Sequence, residues 1–151
     1  MLADHWGELC ASKEVASAWA DQLVGVTRMA LNPDKALGGY FHGIPACLSS
    51  LYCAGRYHEI VDILQVEPIW PYKRWGVKAL AALGETSEAI RYAELCRGRG
   101  THDAHVDAVC EEILLTSGHV EEAYQRYDLR ANRGGTYLST FRNLARKYPH
   151  K

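Results

Sequence analysis

The sequence lacks the features of membrane-spanning and secreted proteins. No apolar run among its 151 residues approaches the ~20 residues that a membrane helix needs. The N-terminal segment from Met1 to Glu8 has no basic start followed by an apolar core, so it does not resemble a secretory signal. We therefore expect a cytoplasmic protein with no membrane segment.

Cysteine is sparse and shows no pairing pattern. The five cysteines are an odd number and none stands in a C-x-x-C pair, so neither a disulfide framework nor a zinc finger is indicated. Because cysteine is small and often buried, we expect all five to be reduced thiols of the core. They are Cys10, Cys47, Cys53, Cys96 and Cys110.

Sequence motifs for nucleotide binding and nucleophilic catalysis are missing as well. The chain contains no G-x-x-x-x-G-K-[ST] loop, no G-x-G-x-x-G and no G-x-S-x-G. Nothing points to a Ser-His-Asp or Cys-His arrangement, although such residues meet in space rather than in sequence. We expect no catalytic residues and no cofactor, and the sequence favours a protein that is not an enzyme without deciding the question.

The composition is that of a globular domain with unevenly distributed charge. Hydrophobic residues make up 48% and charged residues 23% of the chain, which argues against disorder. The net charge is −1, yet residues 126–151 hold seven lysines and arginines against Asp128 alone, and the preceding residues carry an acidic excess. Such polarity can steer a charged partner.

A short pattern built around glycine occurs three times. It reads Ala54 to Ile60, Leu83 to Ala89 and Ser117 to Ala123, and in each copy a glutamate follows the glycine by four residues. The copies start 29 and 34 residues apart, and apolar helical runs flank each of them. This spacing predicts stacked hairpins, each made of a helix, a glycine turn and a second helix that packs back on the first.

The predicted fold is all-α, with about eight or nine short helices in antiparallel hairpins stacked as a right-handed solenoid. We expect residues 1–151 to form a single helical-repeat domain, and the sequence leaves open whether it is a section of a longer protein. Within it we expect N-terminal capping helices at 1–33, hairpin repeats at 40–66, 71–97 and 101–131, and a C-terminal capping helix at 135–148.

The two terminal regions carry apolar residues at helical spacing. Ser12 is a good N-cap for the longer N-terminal helix, in which Val15, Trp19, Leu23, Val26 and Ala30 recur at three- and four-residue steps. In the last helix one side carries Tyr137, Leu138, Phe141, Leu144 and Ala145. We interpret both helices as caps that cover the ends of the stack.

At the glycine turns the chain resembles the tetratricopeptide repeat superfamily. That family reads Gly, any, Tyr, any, Glu, Ala, then Ile or Leu across the turn, and partial matches occur at Gly55 to Val61, Gly84 to Ile90 and Gly118 to Tyr124. The stretches 74–77, 110–114 and 130–151 also resemble an uncharacterised bacterial family of such proteins. The resemblance implies a tetratricopeptide-like fold and no reaction.

The leading helices of the hairpins depart from the tetratricopeptide pattern. Where the family has a small residue, eight positions into the repeat, this chain has Leu48, Val77 and Glu111. The fold implied by the resemblance is therefore tetratricopeptide-like rather than a full match to the family.

One histidine pattern echoes a zinc-binding helix. His58 to Asp62 matches H-E-x-x-H with aspartate in place of the second histidine. Glu59, however, has counterparts at the same offset from the other two glycines, where no histidine accompanies them. We therefore favour a structural role for Glu59 at the start of its helix.

A second histidine pattern lies near a predicted helix start. His102 and His105 are one turn apart, with Cys110 and two aspartates nearby, and could share a metal. Because metal sites usually need three or four converging ligands, we expect solvated histidines and no metal.

The basic end of the chain mixes arginine with tyrosine. Such a surface can grip phosphates and stack on bases, or hold an acidic peptide on a helical scaffold. It can also be a solvated face that offsets the acidic part of the chain. The basic side chains are Arg126, Arg130, Arg133, Arg142, Arg146, Lys147 and Lys151, and the interleaved aromatics are Tyr127, Tyr137 and Tyr148.

Our first hypothesis is a protein–protein interaction module or scaffold that binds a peptide or helix on its concave face. The alternatives are a nucleic-acid-binding accessory protein that uses the basic end and, less favoured, a metal-dependent enzyme. The sequence does not specify the partner, a small-molecule ligand or the oligomeric state. The candidate partner-binding residues are Lys73, Arg74, Lys78, Asp107, Glu111, Arg142 and Arg146.

Overall fold

The protein is helical throughout the part of the chain that the structure describes. The computed structural model describes residues 2–32, 34, 42–66, 70–98 and 103–151. Over these residues it has nine α-helices, one 3-10 turn at Leu2–His5 and no strand, which confirms the all-α class. None of the helices in these ranges has the length and apolarity that crossing a membrane requires. The helices are α1 (Trp6–Leu9), α2 (Lys13–Ala30), α3 (Ile44–Cys53), α4 (Tyr57–Ile63), α5 (Trp70–Ala82), α6 (Thr86–Glu94), α7 (Asp103–Thr116), α8 (Val120–Asn132) and α9 (Tyr137–Lys147).

The chain divides into two compact units, residues 1–84 and 85–151. Helices α1 to α5 belong to the first unit and α6 to α9 to the second. The division falls at Gly84, in the turn of the second predicted hairpin. The single helical-repeat domain expected from the sequence stays a prediction.

Each of the three predicted turns has its glycine in the left-handed region of backbone conformation. The φ angle is +76° at Gly55, +83° at Gly84 and +81° at Gly118. A side chain is strained in this region, so glycine is the residue that can end one helix and let the next begin. At the first turn the Arg56 amide donates to the Leu51 carbonyl oxygen at 2.9 Å, which satisfies a carbonyl at the helix end.

Helix α3 lies at the centre of the first unit. It is buried on most sides and contacts α1, α2, α4 and α5. Pro45 stands in its first turn, so this proline begins the helix rather than kinking it. Helix α1 approaches closely because Gly7 has no side chain; a Cβ there would lie 2.3 Å from the carbonyl oxygen of Ser49.

Helix α7 forms the middle of the second unit, where it contacts α6 and α8. Four of its apolar residues, which recur at three- and four-residue steps, are buried, and Val109 beside them is half-buried. Small residues of α6 and α8 allow the three helices to approach closely. The buried apolar residues are Ala89, Ile90 and Ala93 of α6, Val106, Cys110, Ile113 and Leu114 of α7, and Ala123 and Tyr127 of α8.

Helix α2 turns most of its large apolar side chains to solvent. Ser12 caps the helix as predicted, since its hydroxyl accepts a hydrogen bond from the Val15 amide at 3.3 Å. The buried residues of α2 are Ala16, Ala20 and Thr27, which are small. In a typical amphipathic helix the large apolar side chains face inward. In α2 small side chains occupy the inner side instead, and their size allows the helix to pack closely against α3.

The cysteines are free thiols, three of them buried as expected and two half-buried. Burial raises the pKa of Cys47 and raises that of Cys110 to about 11. Because the thiolate is the reactive form, both side chains are unreactive while the surrounding core is closed.

The glycine turns generate the first prediction. Gly55→Ala should destabilise the protein by about 1–2 kcal/mol, because alanine must adopt a left-handed conformation there. A new Cβ at Gly55 meets nothing within 4 Å, so the loss reports backbone strain alone. The free energy of unfolding, measured in urea, gives the value.

Gly25→Ala is the matched control in the same unit. Gly25 lies within α2, and a Cβ there also meets nothing within 4 Å. Alanine should stabilise this helix by about 0.5–1 kcal/mol. Equal effects of the two substitutions would contradict the role assigned to the turn.

Candidate interaction surface

Polar contacts on one side hold the last helix, α9, in place. Thr136 caps the helix, and its hydroxyl accepts a hydrogen bond from the Ser139 amide at 3.1 Å. The Thr140 hydroxyl accepts from the Gly134 amide at 2.9 Å, and the Asn143 amide group donates to the Asn132 carbonyl oxygen at 3.3 Å. No residue of α9 is fully buried.

The central anchor of α9 is the carboxylate of Glu111 on α7. This side chain is fully buried and accepts hydrogen bonds from Asn132 Nδ2 at 2.6 Å and from the Tyr148 hydroxyl at 2.6 Å. Lys147 Nζ donates to its other oxygen at 2.5 Å and supplies the compensating charge. Burial and the bond to Glu111 raise the pKa of Tyr148 above its usual range.

The apolar side of α9 is consequently turned to solvent. Tyr137 is 98% exposed, Leu138 57% and Phe141 67%. We predicted that this apolar side covers the end of the stack, but in the second unit it is exposed. The polar residues of α9 face α7 and α8 instead, where they form hydrogen bonds with buried groups. A set of large apolar side chains this exposed is unusual unless it serves an interaction.

Arginines lie beside these apolar side chains. Arg142 and Arg146 follow Leu138 at four-residue steps, so the three lie along one side of the helix. Both arginines are exposed, and neither forms an ion pair with another residue in the described ranges. We call Tyr137, Leu138, Phe141, Arg142 and Arg146 the α9 face.

Most other cations of the basic end have partners inside the second unit. Arg130 pairs with Asp107 at 3.3 Å and Arg126 with Glu122 at 2.7 Å. Lys147 pairs with Glu111, as described, and Lys151 with Glu121. Four of the seven basic side chains thus neutralise acids of the same unit, which leaves less charge for an external phosphate backbone than the sequence alone indicates.

A second polar cluster joins α6, α7 and α8. Arg97 donates to Glu94 at 2.6 Å and to Asp107 at 2.5 Å. The Tyr127 hydroxyl donates to Glu94 at 2.6 Å. The bonds from Arg97 and Tyr127 lower the pKa of Glu94 to about 2.

The structure corrects the expectation that Asp107 and Glu111 are exposed on a binding face. Asp107 is 5% exposed and Glu111 is fully buried, and both are committed to the internal ion pairs described above. A charged side chain enters the interior when such partners compensate its lost hydration.

The other candidate residues lie in two places. Arg74 pairs with Asp4 at 3.1 Å, and Lys78 Nζ lies 4.8 Å from the Tyr52 ring centroid, both within the first unit. Lys73, in the same helix, is half-buried. The candidate arginines at positions 142 and 146 lie in the second unit, on the α9 face.

The histidine patterns gain no additional converging ligands in the described part of the chain. No group of three or more potential ligands converges in the ranges searched. Glu59 instead accepts from Arg56 at 2.8 Å and Asp62 from Arg28 at 2.8 Å, which agrees with a structural role at the helix start. His105 is exposed, and His102 lies outside the described residues.

A groove of about 390 Å³ lies among α6, α7 and α8 in the second unit. Each of its two arginines is paired with a glutamate of the same helix, so neither arginine presents an unpaired charge to a ligand. The lining residues are Thr86, Ser87, Ile90, Arg91, Glu94, Leu114, His119, Glu122 and Arg126.

Comparison of the chain with protein-family models, with curated proteins and with solved structures found no match.

The anchoring of α9 through Glu111 was not predicted from the sequence. One signal for it was present: Glu111 stands between Cys110 and Ile113 on the buried stripe of α7, where the tetratricopeptide pattern has a small residue. A carboxylate at such a position needs buried donors. The pattern does not say that those donors come from the last helix.

The anchor can be tested by removing the buried carboxylate. Glu111→Ala leaves two buried donors and one cation without their acceptor, so we expect a loss of about 3–5 kcal/mol in the free energy of unfolding. Limited trypsin digestion should also become faster at Arg142, because α9 loses its attachment.

Glu112→Ala is the control for this substitution. Glu112 is the neighbouring glutamate of α7 and is exposed, so its removal should change the free energy of unfolding by less than about 0.5 kcal/mol. A small effect of Glu111→Ala as well would contradict the anchoring role.

The low pKa of Glu94 predicts a pH dependence of stability. Its folded pKa of about 2 lies below the ordinary glutamate value of 4.5, so the ionised form stabilises the folded state above about pH 4.5, and that stabilisation is lost as the pH falls toward 2. Glu94→Gln should therefore cost roughly 1–2 kcal/mol at pH 7, discounted for partial exposure.

Unfolding in urea at several pH values between 7 and 2 measures this difference. The stability of Glu94→Gln and of the wild type should converge as the pH approaches 2. Tyr127→Phe removes one of the two donors to Glu94 and should show a smaller part of the same dependence. A difference between wild type and Glu94→Gln that stays constant across this range would refute the assignment.

Proposed function

We propose that this protein is a non-enzymatic interaction module that binds an acidic amphipathic helix or peptide on its α9 face. The observation that carries the proposal is the outward apolar side of α9, with Tyr137, Leu138 and Phe141 exposed in one row. Amphipathic helices commonly bind through such anchors, spaced three or four residues apart, on a matching apolar surface.

The charge of the α9 face supports an acidic partner. Arg142 and Arg146 lie beside the apolar anchors and have no internal ion pair among the described residues. A partner with carboxylates flanking its apolar side would meet charges of opposite sign, which speeds encounter and fixes orientation. Of the residues first assigned to a concave binding face, Lys73, Arg74 and Lys78 remain candidates for it, and that face is still a proposal.

We also propose that the helical hairpins are arranged as a tetratricopeptide-like solenoid. The support is the recurrence of the glycine turn, with the same left-handed φ at Gly55, Gly84 and Gly118, together with the resemblance of the turn sequences.

A binding assay with a designed probe tests the proposed function. The probe is a synthetic peptide of about five helical turns, with leucine at three- and four-residue steps and glutamate beside them, labelled for fluorescence anisotropy. Phe141→Asp should weaken binding by about tenfold or more, because it removes a central anchor and adds repulsion. Arg142→Glu should weaken it about threefold to tenfold.

Leu95→Asp is the matched control, since Leu95 is a 62% exposed leucine of the same unit that lies outside α9. It should bind the probe as the wild type does. A peptide of the same composition with scrambled leucine positions should bind weakly. Equal binding of both peptides, or no effect of Phe141→Asp, would overturn the proposal.

Two further probes measure the competing partners. A single-stranded oligonucleotide that binds more tightly than the peptide, with steep salt dependence, would move the function to nucleic acid. Vesicles of phosphatidylcholine with phosphatidylserine that bind more tightly than the peptide would identify α9 as a membrane-surface helix.

A further inference from the structure

A small polar pocket of about 260 Å³ lies between α8 and α9 in the second unit. Ala131 and Asn132 line it from α8, and Asn143, Arg146 and Lys147 line it from α9. The three α9 residues are three and four positions apart, so they share one side of that helix. Every side chain of the lining is therefore either uncharged or basic.

The α9 side of the pocket offers hydrogen-bond donors. The Asn143 amide group has two hydrogens and gives one to the Asn132 carbonyl oxygen at 3.3 Å. Lys147 gives one of its three ammonium hydrogens to Glu111, and its side chain is still 39% exposed. Arg146 is exposed and forms no ion pair within the described ranges. Its guanidinium and the remaining hydrogens of its two neighbours are available to an external acceptor.

The charge around the pocket favours an acceptor with a single negative charge. Glu111 already compensates Lys147, so Arg146 supplies the uncompensated charge of the lining. Asp128, the one acid of residues 126–151, does not line the pocket. A carboxylate carries one charge and accepts two parallel hydrogen bonds from a guanidinium. A phosphate dianion would place a second negative charge close to Glu111 without a cation to match it.

We propose that this pocket, which we call the α8–α9 pocket, binds one carboxylate side chain of the acidic partner. The inference rests on the proposed function and deepens it, because Arg146 belongs both to the α9 face and to the pocket lining. At 100° per residue Arg146 lies about 40° around the helix from Arg142 and about 60° from Asn143. A partner seated on the apolar part of the α9 face therefore has an acidic side chain within reach of the pocket.

Such a pocket would determine the register of the partner helix. The exposed apolar side chains of α9 attract any apolar row, whereas a carboxylate held by a guanidinium and an amide has a defined position. We therefore expect one glutamate of the partner to contribute more to binding than the others. We call it the anchor glutamate.

A double-mutant cycle tests this inference with the acidic peptide described above. Peptides in which each glutamate is changed singly to glutamine are titrated against the protein by fluorescence anisotropy. For the wild type, loss of the anchor glutamate should weaken binding by about tenfold. For Arg146→Gln, whose site is exposed, the same peptide change should have no further effect, because the two groups bind each other.

Arg142→Gln is the matched control, since Arg142 belongs to the α9 face and does not line the pocket. Loss of the anchor glutamate should still weaken binding to this variant by about tenfold. Ala131→Leu narrows the pocket without changing its charge. It should remove the advantage of the anchor glutamate and leave binding of the glutamine peptide unchanged.

Nuclear magnetic resonance locates the carboxylate directly. In the ¹⁵N-labelled protein the side-chain amide signals of Asn143 should shift on addition of the glutamate peptide. They should shift much less with the peptide that lacks the anchor glutamate. Cooperative unfolding in urea confirms that the variants are folded.

The outcomes separate this inference from the proposed function. Peptide binding that Phe141→Asp weakens, with no glutamate coupled to Arg146, rejects the α8–α9 pocket alone. A wild type that does not bind the peptide at all rejects both. A peptide with phosphoserine at the anchor position that binds more tightly than the glutamate peptide would overturn the assignment to a carboxylate.

Discussion

The carboxylate of Glu111 has no exposure to solvent, and three donors from α8, α9 and the residue after α9 meet on it. A buried charge requires such partners because it loses its hydration. Meeting this requirement commits one side of α9 to polar contacts with α7 and α8. The apolar side of α9 is therefore exposed to solvent. The candidate binding surface is thus a consequence of the hydrogen bonds that the buried Glu111 carboxylate requires.

The first and last long helices reach the same outcome for different reasons. On α9 polar side chains occupy the inner side, since they satisfy Glu111 and the carbonyl oxygen of Asn132. On α2 the inner side is made of Ala16, Ala20 and Thr27, whose small size allows close packing against α3. Leu23 and Val24 of α2 still pack partly against the core. Several larger apolar side chains of both helices nevertheless lie on the outer side, so each unit of the protein presents one apolar row.

Local chemistry made much of the fold predictable. The glycine turns require a left-handed residue and Ser12 is a side-chain cap, so each acts within a few residues of itself. The candidate site was less predictable, because the donors to Glu111 stand 21 to 37 residues away. Periodicity shows that a helix has an apolar side. It does not show whether a neighbouring helix will accept that side or the opposite one.

The buried thiols allow the two units to be followed separately. Cys47 lies in the core of the first unit and Cys110 in that of the second. Burial suppresses the thiolate in both, so alkylation must wait for the surrounding helices to open. The labelling rate of each thiol therefore reports how often its own unit opens, without any introduced probe. Mass spectrometry of the two cysteine peptides would then reveal whether the units open together or one at a time.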